Sequence, residues 1–368
     1  MKIFSSATEH SPTNRRSFLR TTATAALAAP FCVPYVRGGD KSGAKPAVIG
    51  QGEFTYECVH DWGMSNLPAG AHYGNASHGV SIDEAGLIYI THYGNPGSIF
   101  VFDADGKFVK SLGDFHQTGK DEKQANGHGI DIRKEGREEF IYLAASNPGM
   151  DFVKMDLNGY IVWRKGRDIL HRDSDRYPPG APYRPTNTSF APDGGYFLGD
   201  GYGSGFIHQY DKDDEYVRTI GETGTQDGQF KTPHGQWLDD RDGIPKLVVA
   251  DRANKRLQWF DMAGNHVQTL DGFLFPADID VQGEILMVPD LHCRITLLDR
   301  NNQVVAQLGE DSEWREKALA GFKMRNQRDQ WLPGKFIHPH DACFDRDGNI
   351  FVSEWVKTGR VSKLRKVS

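Results

Sequence analysis

Six copies of one pattern follow one another along the chain, and this repeat limits the folds that are open to it. Each copy has a small or histidine-containing turn, an apolar alternating strand, Asp-x-x-Gly, and two further strands. The copies start at His78, His128, Asn187, His234, Asp278 and His340. Their spacings of 50, 59, 47, 44 and 62 residues suit four-stranded blades of about 40–50 residues with loop insertions. The repeat therefore predicts an all-β fold, a six-bladed β-propeller.

The sequence also predicts where loops are inserted between blades and how the ring of blades closes. The long spacings contain insertions at roughly 166–184 and 309–335. A leftover strand within 51–61 can pair with the last blade, where 360–364 supplies a closing strand. Such pairing removes the exposed sheet edges that an open array would leave. Because the composition does not change across 50–368, we expect a single domain there.

Composition agrees with this interpretation and excludes some classes of partner. The 41 glycines and 18 prolines accompany many Asp-Gly and Asn-Gly steps, which are typical of turns between strands. The 43 basic and 49 acidic residues give a net charge of −6, too mild to indicate nucleic acid or an anionic membrane surface as partner. Only Cys58, Cys293 and Cys343 follow the first forty residues, so at most one disulfide can form.

Residues 1–40 form a separate segment that we interpret as a twin-arginine signal peptide. The sequence RRSFLR at 15–20 precedes a weakly apolar run at 21–36, which is shorter than the about 20 residues of a membrane span. A twin arginine before a mild apolar run is the address of the twin-arginine export route. The segment at 26–28 offers a cleavage site, and an uncleaved anchor is the alternative. We expect a periplasmic or extracellular mature chain without a membrane span.

Three of the six starting positions are histidines in alternate blades. His128, His234 and His340 are separated by equal steps of 106 residues. Because the innermost strand of each propeller blade faces the central channel, these side chains should meet near its axis. Three imidazoles with one open position form a catalytic zinc site, although the same ligands suit iron, nickel or copper. Each histidine could instead be a hydrogen-bonded turn residue.

The other three starting positions are given lesser roles. His78 has the same phase in blade one and is either a fourth ligand or, as we favour, a polar residue on the rim of the channel. Asn187 and Asp278 are expected to be polar groups of the channel or to orient the metal ligands.

The repeat resembles the NHL family of propellers, through stretches such as VADRANKRLQWFD at 249–261. This resemblance covers essentially the whole chain after residue 50. It implies the fold and leaves the function open, because propellers serve both as enzymes and as binding platforms.

Four segments resemble a narrower family, peptidyl-α-hydroxyglycine α-amidating lyase, which is the propeller half of the peptide-amidating enzyme. They are HGID at 128–131, PTN at 185–187 with GDGY at 199–202, PH at 233–234 with VADRAN at 249–254, and PHD at 339–341. The resemblance implies that His128, His234 and His340 bind zinc. It also implies that Tyr202 and Asp341 line the active site.

The reaction that this resemblance implies is the collapse of a hemiaminal, N–CH(OH)–COO⁻, to an amide and glyoxylate. Zinc bound to the hydroxyl lowers its pKa, and Tyr202 is the candidate general base, with a structural channel tyrosine as the alternative. Asp341 could orient an imidazole or contact the substrate; capping of a turn is its other role. Arg252 could clamp a carboxylate, although we favour an ion pair between blades.

The chain also departs from that family. The family's first blade has an arginine that engages the substrate, whereas 71–78 reads AHYGNASH. The cysteines of the family's disulfide have no counterparts, since Gly203 follows Tyr202 and Arg184 precedes Pro185. The metal ligands therefore carry over better than the identity of the substrate.

Three functions remain open. The first is a metal-dependent lyase, or a related hydrolase, that acts as a monomer on a small-molecule or peptide substrate. The second is a non-catalytic NHL-type platform that binds a peptide, a glycan or a protein partner. The third, a sugar-lactone hydrolase, would require Glu, Asn and Asp calcium ligands on the inner strands, where the starting positions are mainly histidine.

Overall fold

The computed structural model describes residues 45–113, 127–145 and 152–367. Within them, six antiparallel sheets of four or five strands are arranged in a ring, which confirms the six-bladed β-propeller. The twin-arginine signal peptide at 1–40 lies outside the described residues and stays a prediction. None of the helices that the structure describes is both long and apolar enough to cross a membrane.

The strands follow the chain order within each blade. The chain begins with β1 (Ala47–Gln51) and β2 (Phe54–Val59). Blade one contains β3 (Ser77–Ile82), β4 (Ile88–His92), β5 (Ile99–Phe102) and β6 (Phe108–Leu112). Blade two contains β7 (Gly127–Glu135), β8 (Glu138–Ala145), β9 (Phe152–Asp156) and β10 (Ile161–Lys165). Blade three contains β11 (Thr188–Phe190), β12 (Tyr196–Gly199), β13 (Ile207–Tyr210) and β14 (Tyr216–Ile220).

The second half of the ring repeats this order. Blade four contains β15 (Pro233–Asp239), β16 (Lys246–Asp251), β17 (Arg256–Phe260) and β18 (His266–Asp271). Blade five contains β19 (Asp280–Gln282), β20 (Ile285–Asp290), β21 (Arg294–Leu298) and β22 (Val304–Leu308). Blade six contains β23 (Pro339–Phe344), β24 (Ile350–Glu354) and β25 (Arg360–Lys366). The inner strands β3, β7, β11, β15, β19 and β23 contact one another in cyclic order.

The N-terminal strand closes the ring, as the sequence predicts. Strand β2 pairs antiparallel with β25, from Tyr56 opposite Lys366 to Val59 opposite Lys363. Strand β1 then pairs with β2 and gives blade six a fifth strand. This extra strand was not predicted, because most of its side chains are exposed and it lacks the apolar alternation of a half-buried strand.

Each of the two predicted insertions contains an α-helix. Helix α1 (Arg167–Asp173) lies in the first and α2 (Ser312–Leu319) in the second. The Asp311 side chain caps α2 by accepting the Trp314 backbone N–H, which satisfies one of the free donors of a helix start. Short 3-10 helices occur at Met64–Asn66, Arg252–Asn254, Ala320–Phe322, Met324–Asn326 and Arg328–Gln330.

The core consists of apolar layers between neighbouring blades. Between blades four and five, for example, Val248, Leu257 and Trp259 pack against Leu286 and Val288. Complete burial of each large apolar side chain contributes about 1.5–3 kcal/mol. No disulfide joins the three cysteines that the structure describes, so this packing holds the ring together.

In blades four, five and six, the second strand ends in a buried carboxylate. This carboxylate accepts backbone N–H groups of the loop that leads into the inner strand of the same blade. Asp251 accepts the backbone N–H of Lys231, Asp290 those of Leu274 and Phe275, and Glu354 that of Ile337. An arginine near the start of the third strand pairs with each carboxylate, and these arginines are Arg256, Arg294 and Arg360. Two of these loops lead directly to inner-strand histidines, so the ion pairs help to position the channel.

His92, the last residue of β4, should make the free energy of unfolding depend on pH. His92 is fully buried beside Phe100, with ring centroids 3.8 Å apart, and burial lowers its pKa to about 3. In the unfolded chain an imidazole takes up a proton below about pH 6.5, whereas the folded chain does not. The stability that neutral His92 provides is therefore complete above pH 6.5 and is lost as the pH falls towards 3.

We expect His92→Asn to remove this pH dependence. Asparagine cannot titrate, and its Oδ1 can still accept the Gly94 N–H, which His92 Nδ1 accepts at 3.0 Å. Between pH 7.5 and pH 5, the free energy of unfolding should fall by about 2 kcal/mol more in the wild type than in the variant. Urea titrations at the two pH values measure the difference, and equal losses in both proteins would show that His92 is not held neutral.

Candidate metal centre

Each of the four inner-strand histidines lies in an irregularity of its strand. The pairing register of β3, β7, β15 and β23 shifts at His78, His128, His234 and His340, respectively. A β-bulge leaves a residue out of the ladder and redirects its side chain. All four imidazoles lie close to one another, and the repeat predicted this for His128, His234 and His340.

Glycines beside these histidines let the next blade approach. A Cβ at Gly129 would lie 2.3 Å from the Thr186 oxygen, closer than real atoms come. This close approach gives His128 a partner, because its Nδ1–H donates to the Thr186 carbonyl at 2.7 Å. His234 Nδ1–H donates in the same way to the Ala277 carbonyl, at 2.6 Å. With Nδ1 protonated, Nε2 keeps the free lone pair that a metal ligand requires.

The structure brings the three predicted histidines together. The ring centroids of His128 and His234 lie 4.9 Å apart, those of His128 and His340 4.8 Å, and those of His234 and His340 4.7 Å. His78 joins them, with its centroid 4.3 Å from that of His340. Nitrogen atoms of His78, His128 and His340 all lie within 4.8 Å of one another. Three close, buried histidines of this kind could bind a metal ion.

The rim position favoured for His78 was wrong. Its side chain is only 2% exposed and stacks on Tyr93, with ring centroids 4.1 Å apart. The bulge in β3 is the reason, since it turns the side chain inward. Neither ring nitrogen of His78 has a hydrogen-bond partner among the described residues.

The imidazoles of this histidine cluster are neutral, as metal ligands must be. Burial lowers the pKa of His128 to about 3 and that of His78, His234 and His340 well below the usual value, so the imidazoles are neutral and can act as ligands. Within the described residues, Nε2 of His128 and of His340 has no partner. Buried polar atoms without partners cost about 1–3 kcal/mol each, and a bound metal would satisfy them. The residues therefore fit a zinc-type site.

Tyr202 faces the same cluster. Its hydroxyl donates to His234 Nε2 at 2.9 Å, and its ring centroid lies 5.2 Å from that of His128. This hydrogen bond occupies the Nε2 lone pair of His234, which is the lone pair that a metal would bind. Arg252 Nη1 donates to the same hydroxyl at 3.2 Å, and its guanidinium carbon lies 5.1 Å from the Tyr202 ring centroid.

The ion pair favoured for Arg252 is not formed with any of the residues that the structure describes. Asp251 bonds Arg256 instead, at 2.8 Å, and among the described residues Arg252 forms no ion pair. The reason is local geometry: the 3-10 helix Arg252–Asn254 turns the Arg252 side chain away from the carboxylate, to Tyr202 and Phe275. Its uncompensated positive charge lies beside the histidines and contributes to their lowered pKa values.

Asp341 follows His340 directly on β23. Its Oδ2 accepts the Val80 backbone N–H at 2.8 Å, and it lines a cavity of about 210 Å³ to which Tyr202 does not contribute. Four aspartates line this cavity: Asp131, Asp278, Asp280 and Asp341. Tyr202 is not among the residues that line this cavity, so a shared cavity of Asp341 and Tyr202 stays a prediction.

Asn187 and Asp278, the remaining two starting positions, also line this acidic cavity. The Asn187 amide donates to both carboxylate oxygens of Asp278, at 2.8 Å each, so these two are channel polar groups, as expected. Burial raises the pKa of Asp131, Asp278 and Asp341, and that of Asp280 to about 7. Sequence reasoning did not single out Asp131 and Asp280, although each lies two or three residues after a starting position, on an inner strand.

Comparisons with known proteins agree with the fold. No protein-family model matches the sequence, and no curated protein matches it. Among solved structures, a streptogramin B lyase is similar with a TM-score of 0.51 and 14% identity over 84% of this chain and 97% of that one. A virginiamycin B lyase from Staphylococcus aureus gives 0.50 and 13%, over 85% and 100%. A luciferin-regenerating enzyme gives 0.54 and 11%, over 84% and 96%. At these identities the similarity extends to the fold alone.

Proposed function

We propose that this chain is a zinc-dependent lyase that cleaves the carbon–nitrogen bond of a hemiaminal carboxylate, or of a related small polar substrate, in the propeller channel. One observation carries the proposal. Three neutral imidazoles from alternate blades lie with their centroids 4.7–4.9 Å apart, and a tyrosine hydroxyl contacts one of them at 2.9 Å. That two propellers of similar fold are named as lyases supports a lyase on this scaffold.

His128, His234 and His340 would hold the metal. What a bound divalent metal supplies is Lewis acidity, which lowers the pKa of a substrate hydroxyl. The Thr186 and Ala277 carbonyls orient the first two imidazoles through their Nδ1–H groups, and such outer partners hold ligand nitrogens in position.

The chain's own side chains would move the protons. Deprotonated Tyr202 accepts the hydroxyl proton of R–CO–NH–CH(OH)–COO⁻, the C–O bond becomes a carbonyl as the C–N bond breaks, and the departing nitrogen takes the proton back from Tyr202. The products are R–CO–NH₂ and glyoxylate, so all atoms are accounted for. Arg252, 3.2 Å from the phenol oxygen, stabilises negative charge on that oxygen while the proton is transferred.

Two measurements on the purified chain test this function. We expect about one zinc per chain by elemental analysis, since three histidine ligands with one open position are typical of a catalytic zinc site. We also expect glyoxylate release from N-benzoyl-α-hydroxyglycine, which a chelator abolishes and added zinc restores. A metal-free chain that releases no glyoxylate would instead support the non-catalytic binding platform.

A further inference from the structure

The insertion between blades five and six carries an arginine to the loop that precedes β3. Arg325 lies in the 3-10 helix Met324–Asn326. Its carbonyl accepts the Lys357 backbone N–H at 2.9 Å, and the preceding carbonyl, that of Met324, accepts the Trp331 indole N–H at 2.8 Å. The Met324 side chain is buried. The backbone of Arg325 is therefore held from several sides, and its side chain projects from a fixed position.

The Arg325 guanidinium is stacked and lacks a counter-charge. Its carbon lies 3.5 Å from the Trp355 ring centroid, and Nη2 donates to the Asn75 carbonyl at 3.3 Å. The Nε atom is buried and has no hydrogen-bond partner, and no carboxylate pairs with the side chain, among the residues that the structure describes. Burial lowers the pKa of the group. A half-buried cation without a counter-charge is costly in the free protein, and an anionic ligand would reduce this cost.

The position of this cation relates it to the histidine cluster. Asn75, which Arg325 contacts, lies three residues before His78 in blade one. Trp355, on which Arg325 stacks, has its ring centroid 5.7 Å from that of His338, two residues before His340. Arg252 belongs to blade four, which lies opposite blade one in a six-membered ring. In both Arg325 and Arg252 the Nε atom has no hydrogen-bond partner among the described residues.

We propose that Arg325 binds the carboxylate of the substrate and so selects for small α-substituted carboxylic acids. This inference rests on the proposed function, since it places the substrate at the histidine cluster. Segment 71–78 of blade one has no arginine, and the insertion supplies a guanidinium to that side of the channel instead. A planar guanidinium can bind both oxygens of a carboxylate, and stacking on tryptophan orients it for that contact.

Binding of an unreactive analogue tests Arg325 without depending on turnover. N-benzoylglycine lacks the reactive hydroxyl, and its primary amide has the same shape without the charge. By calorimetry we expect Arg325→Met to weaken binding of N-benzoylglycine at least about 10-fold, which corresponds to one charge-assisted pair. Binding of the amide should not change. Arg325→Lys, which keeps the positive charge, should retain part of the affinity for N-benzoylglycine. Melting curves of both variants show whether any loss of affinity comes from misfolding.

Arg328→Met is the matched control. Arg328 lies in the same insertion but already pairs with Asp61 at 2.8 Å on the surface, so this variant should bind N-benzoylglycine as the wild type does. Equal affinity of Arg325→Met and wild type for N-benzoylglycine would overturn the inference. So would a wild type that binds the acid and the amide equally well.

The outcomes for Arg325 and for the proposed reaction can be separated. If the wild type releases glyoxylate and Arg325→Met has an unchanged KM, the lyase stands and the role of Arg325 does not. If the wild type releases no glyoxylate but binds N-benzoylglycine in a way that depends on Arg325, the lyase proposal fails. The channel is then a carboxylate-binding site with another function.

Discussion

Replacing His128 or His340 by alanine is expected to reduce the zinc content to below about one-tenth of the wild-type value and to abolish glyoxylate release. Both residues belong to the set of three histidines whose nitrogen atoms lie within 4.8 Å of one another. Even the loss of an outer partner of a ligand costs about 10–100-fold in metal affinity, and the loss of a ligand should cost more. Elemental analysis after dialysis against zinc-free buffer gives the result.

The fold should survive these substitutions. The stability of the ring comes from the apolar layers between blades and from the buried carboxylate–arginine pairs, and neutral His128 has an unpartnered Nε2 that adds cost rather than stability. His92→Asn is the control, because His92 is a buried histidine at the end of β4 and is not one of the clustered ligands. It should leave the zinc content unchanged. Full zinc occupancy in both alanine variants would rule out the site.

A second pair of variants identifies the third ligand. The equal spacing of the repeat favours His234, whereas the nitrogen distances group His78 with His128 and His340. In the structure the Tyr202 hydroxyl fills His234 Nε2, and a metal would have to displace it. We expect His234→Ala to lose zinc and His78→Asn to keep it. The reverse result would assign the third position to His78 and would leave the Tyr202–His234 hydrogen bond intact in the loaded protein.

The sequence was sufficient for the fold because a propeller repeats itself. The recurring strand pattern located all six inner strands, and the leftover strand at 51–61 predicted the pairing of β2 with β25. The same periodicity placed His128, His234 and His340 at one phase, which is why their meeting at the axis could be predicted. Strand β1 escaped this reasoning, since it lies outside the repeat.

The parts of the site that the sequence did not provide depend on contacts outside the repeat. Arg325 comes from an insertion, and nothing periodic relates it to Asn75, some 250 positions earlier. The direction of Arg252 depends on a short 3-10 helix, which the sequence motif alone does not distinguish from a continued ion-pair pattern. The burial of His78 depends on a bulge in β3, and a bulge is set by the pairing of two strands rather than by one residue.

Tyr202→Phe is expected to keep the metal and to lower kcat by about 10²–10⁴-fold, the usual cost of losing a general base. Only the hydroxyl is removed, and the ring can keep its packing against His128 and His234. The affinity for N-benzoylglycine should not change, because that ligand has no hydroxyl proton to transfer. Tyr216→Phe, a tyrosine of the same blade whose hydroxyl bonds Thr219, should retain the wild-type rate.

Arg252 provides a further test of this role, since it acts on the reaction through the Tyr202 oxygen. As a single substitution, Arg252→Met should lower kcat, because it removes the guanidinium that lies 3.2 Å from the Tyr202 oxygen and stabilises negative charge there. In the Tyr202→Phe background the same substitution should have little additional effect, since the oxygen that it assists is already gone, and the two losses will not add. Additive losses would show that Arg252 contacts the substrate independently. A Tyr202→Phe variant with the wild-type rate would make Tyr202 a structural tyrosine of the channel, and the proton would have to leave by another group.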